Sequence, residues 1–155
     1  MTPTAYAWHF VGKTLRDGSP IPEDGKWLEV AQPIKMCERG LHASRQPFDA
    51  LTYAPGETLC FVEIGGEIIE GYDKLVATRR KIITRMDATE MLRYFARMQA
   101  ISVIHLWDAP DVVCDYLMIG DESLRDAAWA AAVDEFNSLV YECFEGQMAS
   151  VGYKP

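Results

Sequence analysis

The amino-acid sequence predicts an α+β fold, in which an antiparallel, strand-rich half is followed by about three helices. Two observations lead to this prediction. Residues 1–86 contain short apolar and aromatic runs separated by Gly- and Pro-rich turns, which is typical of strands and surface loops. Residues 87–155 contain apolar residues at helical spacing behind helix start signals. Because the strands come first and the helices afterwards, we do not expect alternating α/β units.

Strands are predicted where aromatic and β-branched residues run between turn residues. Gly65 and Gly66 separate two of these runs, so we expect a turn or a bulge between them. Pro33 follows another run and restricts that strand to the edge of a sheet, because proline has no N–H to donate. The five predicted strands are residues 5–11, 27–30, 58–64, 67–69 and 74–83.

Helix start and stop residues mark the helical segments. Ser44 is a suitable N-cap for a short helix over residues 47–53 of the strand-rich half. Asp87 and Glu90 form a capping box at the start of the second half, and Gly120 suits the position just after a helix. The three C-terminal helices are predicted to run from Asp87 to about Leu106, from Asp108 to Gly120, and from Asp121 to near Gly146.

The formal net charge of −8 is confined to the second half of the chain. Residues 1–86 hold eleven basic and eleven acidic side chains, whereas residues 87–155 hold four basic and twelve acidic ones. Such a surface repels phosphates and attracts basic protein surfaces. The one basic cluster, within residues 79–85, is too short to reverse this effect. We therefore expect a partner with a basic surface and no direct binding of nucleic acid.

Length and composition indicate one globular domain, residues 1–155, with a neutral strand-rich part and an acidic helical part. No apolar run approaches the roughly 18 residues that a membrane-spanning helix needs. The N-terminus does not have the pattern of a signal peptide. The four cysteines lie far apart, at no metal-ligand spacing, and are expected to be reduced and structural. We expect a cytoplasmic protein without membrane contact, metal or cofactor.

The most specific motifs lie within residues 35–83. This segment contains G-L-H-A-S, then D-A-L-x-Y-A-P-G, and then D-K-L-V-A, and residues 105–117 add H-L-W-D-A-P-D-V-V-x-D-Y-L. With these motifs the chain resembles a family of small phage and prophage accessory proteins. The resemblance implies an accessory protein of a mobile element, at work in a bacterial host cell, and it implies no particular activity.

Together with the acidic second half, this resemblance favours a protein that acts by binding another protein. We expect a stoichiometric inhibitor of a host or defence nucleoprotein, comparable to an anti-CRISPR protein, more than an enzyme. Carboxylates would meet Lys and Arg of the partner, and either Trp129, if it is exposed, or Tyr116 would be an apolar anchor. The residues expected to bind the partner are Asp115, Tyr116, Asp121, Glu122, Asp126, Trp129, Asp134 and Glu135.

A more distant resemblance concerns the order of three segments: W-H-F on the first strand, then G-L-H-A-S, then A-L-x-Y-A on the short helix. This order is similar to that of the ADP-ribosyltransferase fold. The resemblance implies that His9 contacts the ribose of NAD and that Tyr53 stacks on the nicotinamide. It also implies a charged catalytic residue, either Glu70 or one of Glu67 and Asp73. Under this alternative the protein is an enzyme and NAD is its cofactor.

His42 and Ser44 are candidates for a pocket beside the short helix. The His42 imidazole would serve in catalysis if a carboxylate or carbonyl oriented its second nitrogen. It would be structural if it only bonded the loop backbone. The deciding question is whether His9, His42 and Tyr53 line one cleft or lie apart in the core.

Overall fold

A computed structural model describes residues 5–150 of the chain and the side chains of residues 5–145. Strands come first and helices afterwards, as the sequence predicts, so the α+β fold class is confirmed. Two single 3₁₀ turns, Ile104–Leu106 and Glu122–Leu124, lie between the later helices. The elements are β1 (Ala5–Val11), β2 (Trp27–Glu29), β3 (Leu41–Ala43), α1 (Pro47–Thr52), β4 (Thr58–Glu70), β5 (Leu75–Asp87), α2 (Thr89–Val103), α3 (Asp111–Ile119) and α4 (Arg125–Ser150).

The five strands form one antiparallel sheet that closes on itself. The main order is β1-β4-β5-β2, and β3 pairs with β5 further along the same edge that β2 occupies. Ser44, directly after β3, bridges Trp8 of β1 through two backbone hydrogen bonds of 2.7 and 2.8 Å. Because β1 is bonded to β4 on its other side, the four strands β1, β4, β5 and β3 form a ring.

Side chains from alternate strand positions fill this ring, as expected for strands with one face turned to a core. On β1, Ala7 and Val11 point inward with His9 between them, and Phe10 points outward to pack beside α1. The core inside the ring consists of Ala7, Val11, Ala43, Cys60, Val62, Ile64, Leu75, Ala77 and Ile82.

The long hairpin of β4 and β5 shows where the strand predictions were right and where they were wrong. The pairing shifts register between Gly65 and Ile68, which confirms the predicted bulge. The predicted strands on its two sides are nevertheless one strand, because pairing with β5 resumes after the shift. The strand β3 was missed, since three residues between loop segments give little alternation to read.

The predicted capping role of Ser44 was wrong. The residue before α1 is Gln46, which makes no side-chain cap. Ser44 is instead 2% exposed, and its backbone is engaged in the bridge to Trp8. A residue that closes the ring cannot also stand at the helix start, so the sheet takes precedence over the local capping preference.

The chain divides into two compact units, Met1–Leu92 and Arg93–Pro155, called here the strand-rich unit and the helical unit. Within the helical unit α3 packs against α4. Gly120 follows α3 in the left-handed conformation, with φ of 76°, which confirms its predicted position after the helix. No helix in the described part of the chain is both long and apolar enough to cross a membrane.

Two of the three start residues predicted for the C-terminal helices, Asp87 and Asp121, are confirmed as caps, whereas α3 begins at Asp111 behind Pro110 and not at Asp108, and it has no side-chain cap. The Asp87 carboxylate accepts a hydrogen bond of 2.9 Å from the Thr89 N–H. The Asp121 carboxylate likewise accepts one of 2.9 Å from the Ser123 N–H. The helix expected after Asp121 begins as a 3₁₀ turn, so α4 itself starts at Arg125.

Candidate functional site

A cleft of about 950 Å³ opens in the strand-rich unit beside the end of β1. Its walls come from β1, the loop that follows it, the loop before β3, and α1. Cavities of roughly 300–1,000 Å³ are the usual size of small-molecule sites. His9, His42, Ser44 and Tyr53 all line it. The question that the sequence left open is therefore answered: His9, His42 and Tyr53 line the same cleft.

Arg80 of β5 is the buried cation of this cleft. Its side chain is 6% exposed and lies on the face of β5 that also carries Ile82. The guanidinium donates a hydrogen bond to the backbone carbonyl of His42. Burial lowers the pKa of Arg80 from 12.5 to about 10, so the group still carries its charge at neutral pH. That shift corresponds to a cost of roughly 3 kcal/mol for keeping the charge in the folded protein.

No carboxylate of the described residues pairs with Arg80. Three acidic residues line the cleft, and each has a different partner. Asp17 accepts hydrogen bonds from Ser19, Glu29 pairs with Arg79 at 2.8 Å, and Glu38 pairs with Lys35 at 2.6 Å. A buried charge is normally paired. Because Arg80 has no carboxylate partner among the described residues, its guanidinium is a natural place for an anionic ligand to bind.

Further cations stand around the cleft. Lys13, Arg16 and Lys74 line it together with Arg80. Among the residues that the structure describes, none of these three side chains lies in an ion pair with a carboxylate. Of the three carboxylates in the lining, Glu29 and Glu38 are each paired with a basic side chain, so positive charge is in excess there, and an excess of one sign of charge attracts ligands of the opposite sign. The cleft is thus electropositive, although the strand-rich half is neutral as a whole.

His9 brings a neutral imidazole to the cleft. It stands on the inner face of β1, opposite Cys60 of β4. Burial, followed by the nearby charges of Arg80 and His42, lowers the pKa of His9 well below its ordinary value of 6.5. A neutral ring has one N–H donor and one acceptor nitrogen. His9 can therefore bond an uncharged hydroxyl group of a ligand but adds no charge.

His42 holds the loop before β3 in place. Its Nε2 accepts a hydrogen bond of 2.9 Å from the backbone N–H of Cys37. Burial is the main cause that lowers the pKa of His42 below 6.5, against the opposite effect of the Gly40 carbonyl. Because Nε2 is used by the loop backbone, the structural interpretation of His42 is favoured over the catalytic one.

Tyr53 follows α1 at the rim of the cleft. Its hydroxyl donates a hydrogen bond of 2.5 Å to Asp73. The ammonium group of Lys74 lies 4.0 Å from the centre of its ring, and hydrogen bonds to Cys37 and Tyr53 raise the pKa of Lys74. Tyr53 is 48% exposed, so it is accessible to a ligand at the rim.

The three acidic candidates for catalysis are placed differently. Glu70 forms an ion pair with Arg45, and the backbone N–H of Glu67 donates to Thr78 at the bulge. Neither is among the residues that line the cleft. Asp73 is not a lining residue either, and its carboxylate accepts the hydrogen bond from the Tyr53 hydroxyl at the rim.

Arg80 and Lys74 are the residues that the sequence analysis missed. In the sequence Arg80 belongs to a short basic cluster, which was considered only as a possible contact for nucleic acid. A signal was present, because Arg80 and Ile82 lie two positions apart on one strand and so share its face. An arginine on the apolar face of a strand is rare unless it has a partner.

The residues predicted to bind a protein partner lie in the helical unit and are mostly exposed. Trp129 is 72% exposed, and exposure was the condition under which the sequence analysis expected it to anchor a partner. Glu122 lies 3.5 Å from Arg125 and 3.8 Å from Arg93, and Asp126 lies 3.1 Å from Arg125. Half-buried positions are taken by Tyr116 and Glu135, and exposed ones by Asp115, Asp121, Glu122, Asp126, Trp129 and Asp134.

Comparison with known proteins gives one family. No curated protein and no solved structure matches the chain. A family model described as a domain of unknown function (DUF7666) matches residues 5–94. This match covers every residue that lines the cleft. Because it also spans more than half of the 155 residues, the chain belongs to the DUF7666 family.

Proposed function

We propose that the strand-rich unit binds an anionic small molecule of nucleotide size in this cleft, and that Arg80 receives its phosphate or carboxylate group. One observation carries the proposal: Arg80 is 6% exposed, charged, and without a carboxylate partner among the described residues. An anion that enters the cleft gives the guanidinium the partner that it otherwise does not have, and charge-assisted bonds of this kind are the strong ones.

The other cleft residues fit a nucleotide. The neutral His9 suits a sugar hydroxyl, and the exposed ring of Tyr53 suits a planar base or nicotinamide. Lys13, Arg16 and Lys74 add charge for a second anionic group. NAD combines all of these features, and it is also the ligand implied by the resemblance to the ADP-ribosyltransferase fold. NAD is therefore the first ligand to test.

Binding is favoured over transfer of ADP-ribose. Transfer needs a charged residue beside the reacting bond, and Glu70 is engaged by Arg45 outside the cleft lining. The protein then acts as a nucleotide-binding module. We place it in the cytoplasm, because its four cysteines are free thiols and reducing compartments keep thiols in that form.

A thermal unfolding series tests the proposal. The full chain is heated with NAD, ADP-ribose or AMP, and adenosine serves as the uncharged control. A ligand at about 100 times its dissociation constant stabilises the fold by about 2.7 kcal/mol. We expect stabilisation by at least one of the three anions and a smaller effect of adenosine. Equal responses to adenosine and AMP, or no response to any of the four, would contradict the proposal.

A further inference from the structure

Cys37 brings an exposed thiol into the cleft. It belongs to the loop before β3 and lines the cleft together with Lys74 and Arg80. Its backbone N–H donates a hydrogen bond of 2.9 Å to the His42 ring, which fixes its place in the loop. Among the described residues it is the non-glycine residue with a left-handed φ, of 66°. A side chain is strained in this conformation, whereas glycine is not, so the chain keeps a thiol where glycine would suit the backbone better.

The ammonium group of Lys74 lies beside this thiol. A hydrogen bond with the Cys37 side chain is the largest cause that raises the pKa of Lys74, followed by one with Tyr53, so Lys74 is charged at neutral pH. No carboxylate of the described residues forms an ion pair with it. Glu38, which follows Cys37 in the chain, is paired with Lys35 at 2.6 Å. The thiol therefore lies next to a positive charge.

Arg80 gives independent evidence that a negatively charged group binds in this cleft. Its side chain is 6% exposed and lines the cleft, and it has no carboxylate partner among the described residues. The guanidinium bonds the backbone carbonyl of His42, and the ring of the same His42 bonds the backbone of Cys37. The thiol and the buried cation are thus connected through one residue, on the wall of one cleft.

We propose that Cys37 is a modification site, at which a small disulfide that carries carboxylates, such as glutathione disulfide, adds one of its two halves. The Cys37 sulfur attacks as a thiolate, its proton having passed to water. A new S–S bond to Cys37 forms, the old S–S bond breaks, and the other half leaves as a thiolate that takes up a proton. The disulfide is reduced while the Cys37 thiol is oxidised, so no other oxidant is needed. Lys74 and Arg80 attract the carboxylates, and the adduct occupies the cleft.

Cys143 is a matched control within the same chain. It is also a free and exposed thiol, but it lies on α4, near Glu142 and Glu145 in the chain. Residues 87–155 hold twelve acidic and four basic side chains. An anionic disulfide is attracted to the surroundings of Cys37 and repelled by those of Cys143, and a cationic disulfide is affected in the opposite way.

A comparison of two disulfides tests the proposal on the full chain. The protein is mixed with glutathione disulfide, which is anionic, or with cystamine, which is cationic, and mass spectrometry after digestion follows the adduct at each cysteine. The ratio of the two rates at one thiol does not depend on the exposure of that thiol. We expect the anionic-to-cationic ratio to be at least about tenfold larger at Cys37 than at Cys143, and the difference to shrink with added salt. Equal ratios at the two thiols overturn the proposal.

A lysine variant with a matched control locates the cause of the preference. Lys74→Gln should slow the reaction of Cys37 with glutathione disulfide at least about threefold and leave the rate at Cys143 unchanged. Lys26→Gln removes a lysine that is paired with Glu23 outside the cleft lining, and it should change the rate at Cys37 by less than about 1.5-fold. Cys60 is 0% exposed, so its lack of modification shows that each variant is folded. An unchanged rate at Cys37 in Lys74→Gln overturns the proposal.

The effect of the adduct on ligand binding rests on the proposed function. NAD is titrated calorimetrically into the modified and the unmodified chain, and we expect the modified chain to bind at least about tenfold more weakly. Dithiothreitol reduces the mixed disulfide and should restore the affinity, and the same oxidation of Cys37→Ser should leave its own affinity unchanged. Equal affinity with and without the adduct overturns its placement in the cleft. Absence of NAD binding in the unmodified chain contradicts only the proposed function, because the rates at Cys37 are measured without nucleotide.

Discussion

The guanidinium of Arg80 donates a hydrogen bond to the backbone carbonyl oxygen of His42, which belongs to the neighbouring strand β3. A guanidinium has five N–H donors, and this is the one protein acceptor that Arg80 has among the described residues. The bond fixes the orientation of the charged group at the wall of the cleft. Its other N–H groups remain for a ligand, which is why Arg80 is central to the predictions.

Replacing Arg80 by methionine should cost the free protein little stability. Arg80→Met removes a buried charge that has no carboxylate partner, and buried ions can be replaced by apolar residues at little or no cost. The loss of the bond to the His42 carbonyl acts in the opposite direction, by about 1–3 kcal/mol. We expect a net change of less than about 1 kcal/mol in the free energy of unfolding, measured in urea.

A structural role of Arg80 gives a different result. Breaking a buried ion pair by removing one partner costs about 3–5 kcal/mol. A loss of that size in Arg80→Met would mean that the charge is compensated within the protein, and it would remove the argument for an anionic ligand.

Stability should fall when the pH drops from 7 to 5. Burial lowers the pKa of both His9 and His42 below the ordinary value of 6.5. Above that pH both rings are neutral in the folded and the unfolded chain. Below it the unfolded chain binds protons that the folded one does not, so stability is lost as the pH falls. The slope is at most about 1.4 kcal/mol per pH unit for each histidine.

The variant His9→Gln tests the assignment of this pH dependence. It removes one of the two groups, so the slope of the free energy of unfolding between pH 7 and 5 should be smaller than that of the wild type. Comparison of slopes excludes any constant effect of the substitution itself. A slope as steep as that of the wild type, or stability that rises towards pH 5, would contradict the placement of His9.

Gly40 should be among the glycines least tolerant of substitution. Its φ of 134° is strained for any residue with a Cβ atom, and that atom would collide with the Cγ2 atom of Val76. Gly25 also has a positive φ, of 82°, but a Cβ there would meet nothing within 4 Å. We expect Gly25→Ala to cost about 1 kcal/mol and Gly40→Ala about 3 kcal/mol or more, measured in urea. Equal costs would mean that the loop before β3 does not pack as described.

Tyr53 should contribute to ligand binding through its ring. Removal of the ring in Tyr53→Ala is expected to weaken NAD binding about tenfold, since stacking on an aromatic ring is worth about 1–3 kcal/mol. Tyr53→Phe keeps the ring and should change the affinity by less than about twofold. Tyr72→Ala, at a fully exposed tyrosine outside the cleft lining, is the matched control. The measurement is calorimetric titration, and a loss in Tyr53→Phe equal to that in Tyr53→Ala would contradict stacking.

The order of strands and helices could be predicted from the sequence because it depends on local signals. Asp87 caps its helix and Gly120 follows its helix as expected. Ser44 could not be placed correctly, because its role depends on the bridge to Trp8, which lies far away in the chain. Pairing between distant segments has no local signature, and for the same reason the short strand β3 was missed.

The candidate site could be predicted in part. His9, His42 and Tyr53 were identified as candidates, but their convergence depends on the closure of the ring by β3. Arg80 was not identified, although its place two positions from Ile82 on one strand was a signal; that it is buried without a carboxylate partner is a property of the fold. The sequence shows that Arg80 is one of several basic residues; the structure shows that it is the buried one.

One measurement tests the role of Arg80 most directly: calorimetric titration of NAD and of adenosine into the wild type and into Arg80→Met. Hydrogen bonds to charged groups contribute about 1.5–3 kcal/mol, so we predict that NAD binds the variant at least about tenfold more weakly. Adenosine has no anionic group and should bind both proteins equally. Equal affinity of NAD for the two proteins would contradict the assignment of Arg80 as the residue that receives the anion.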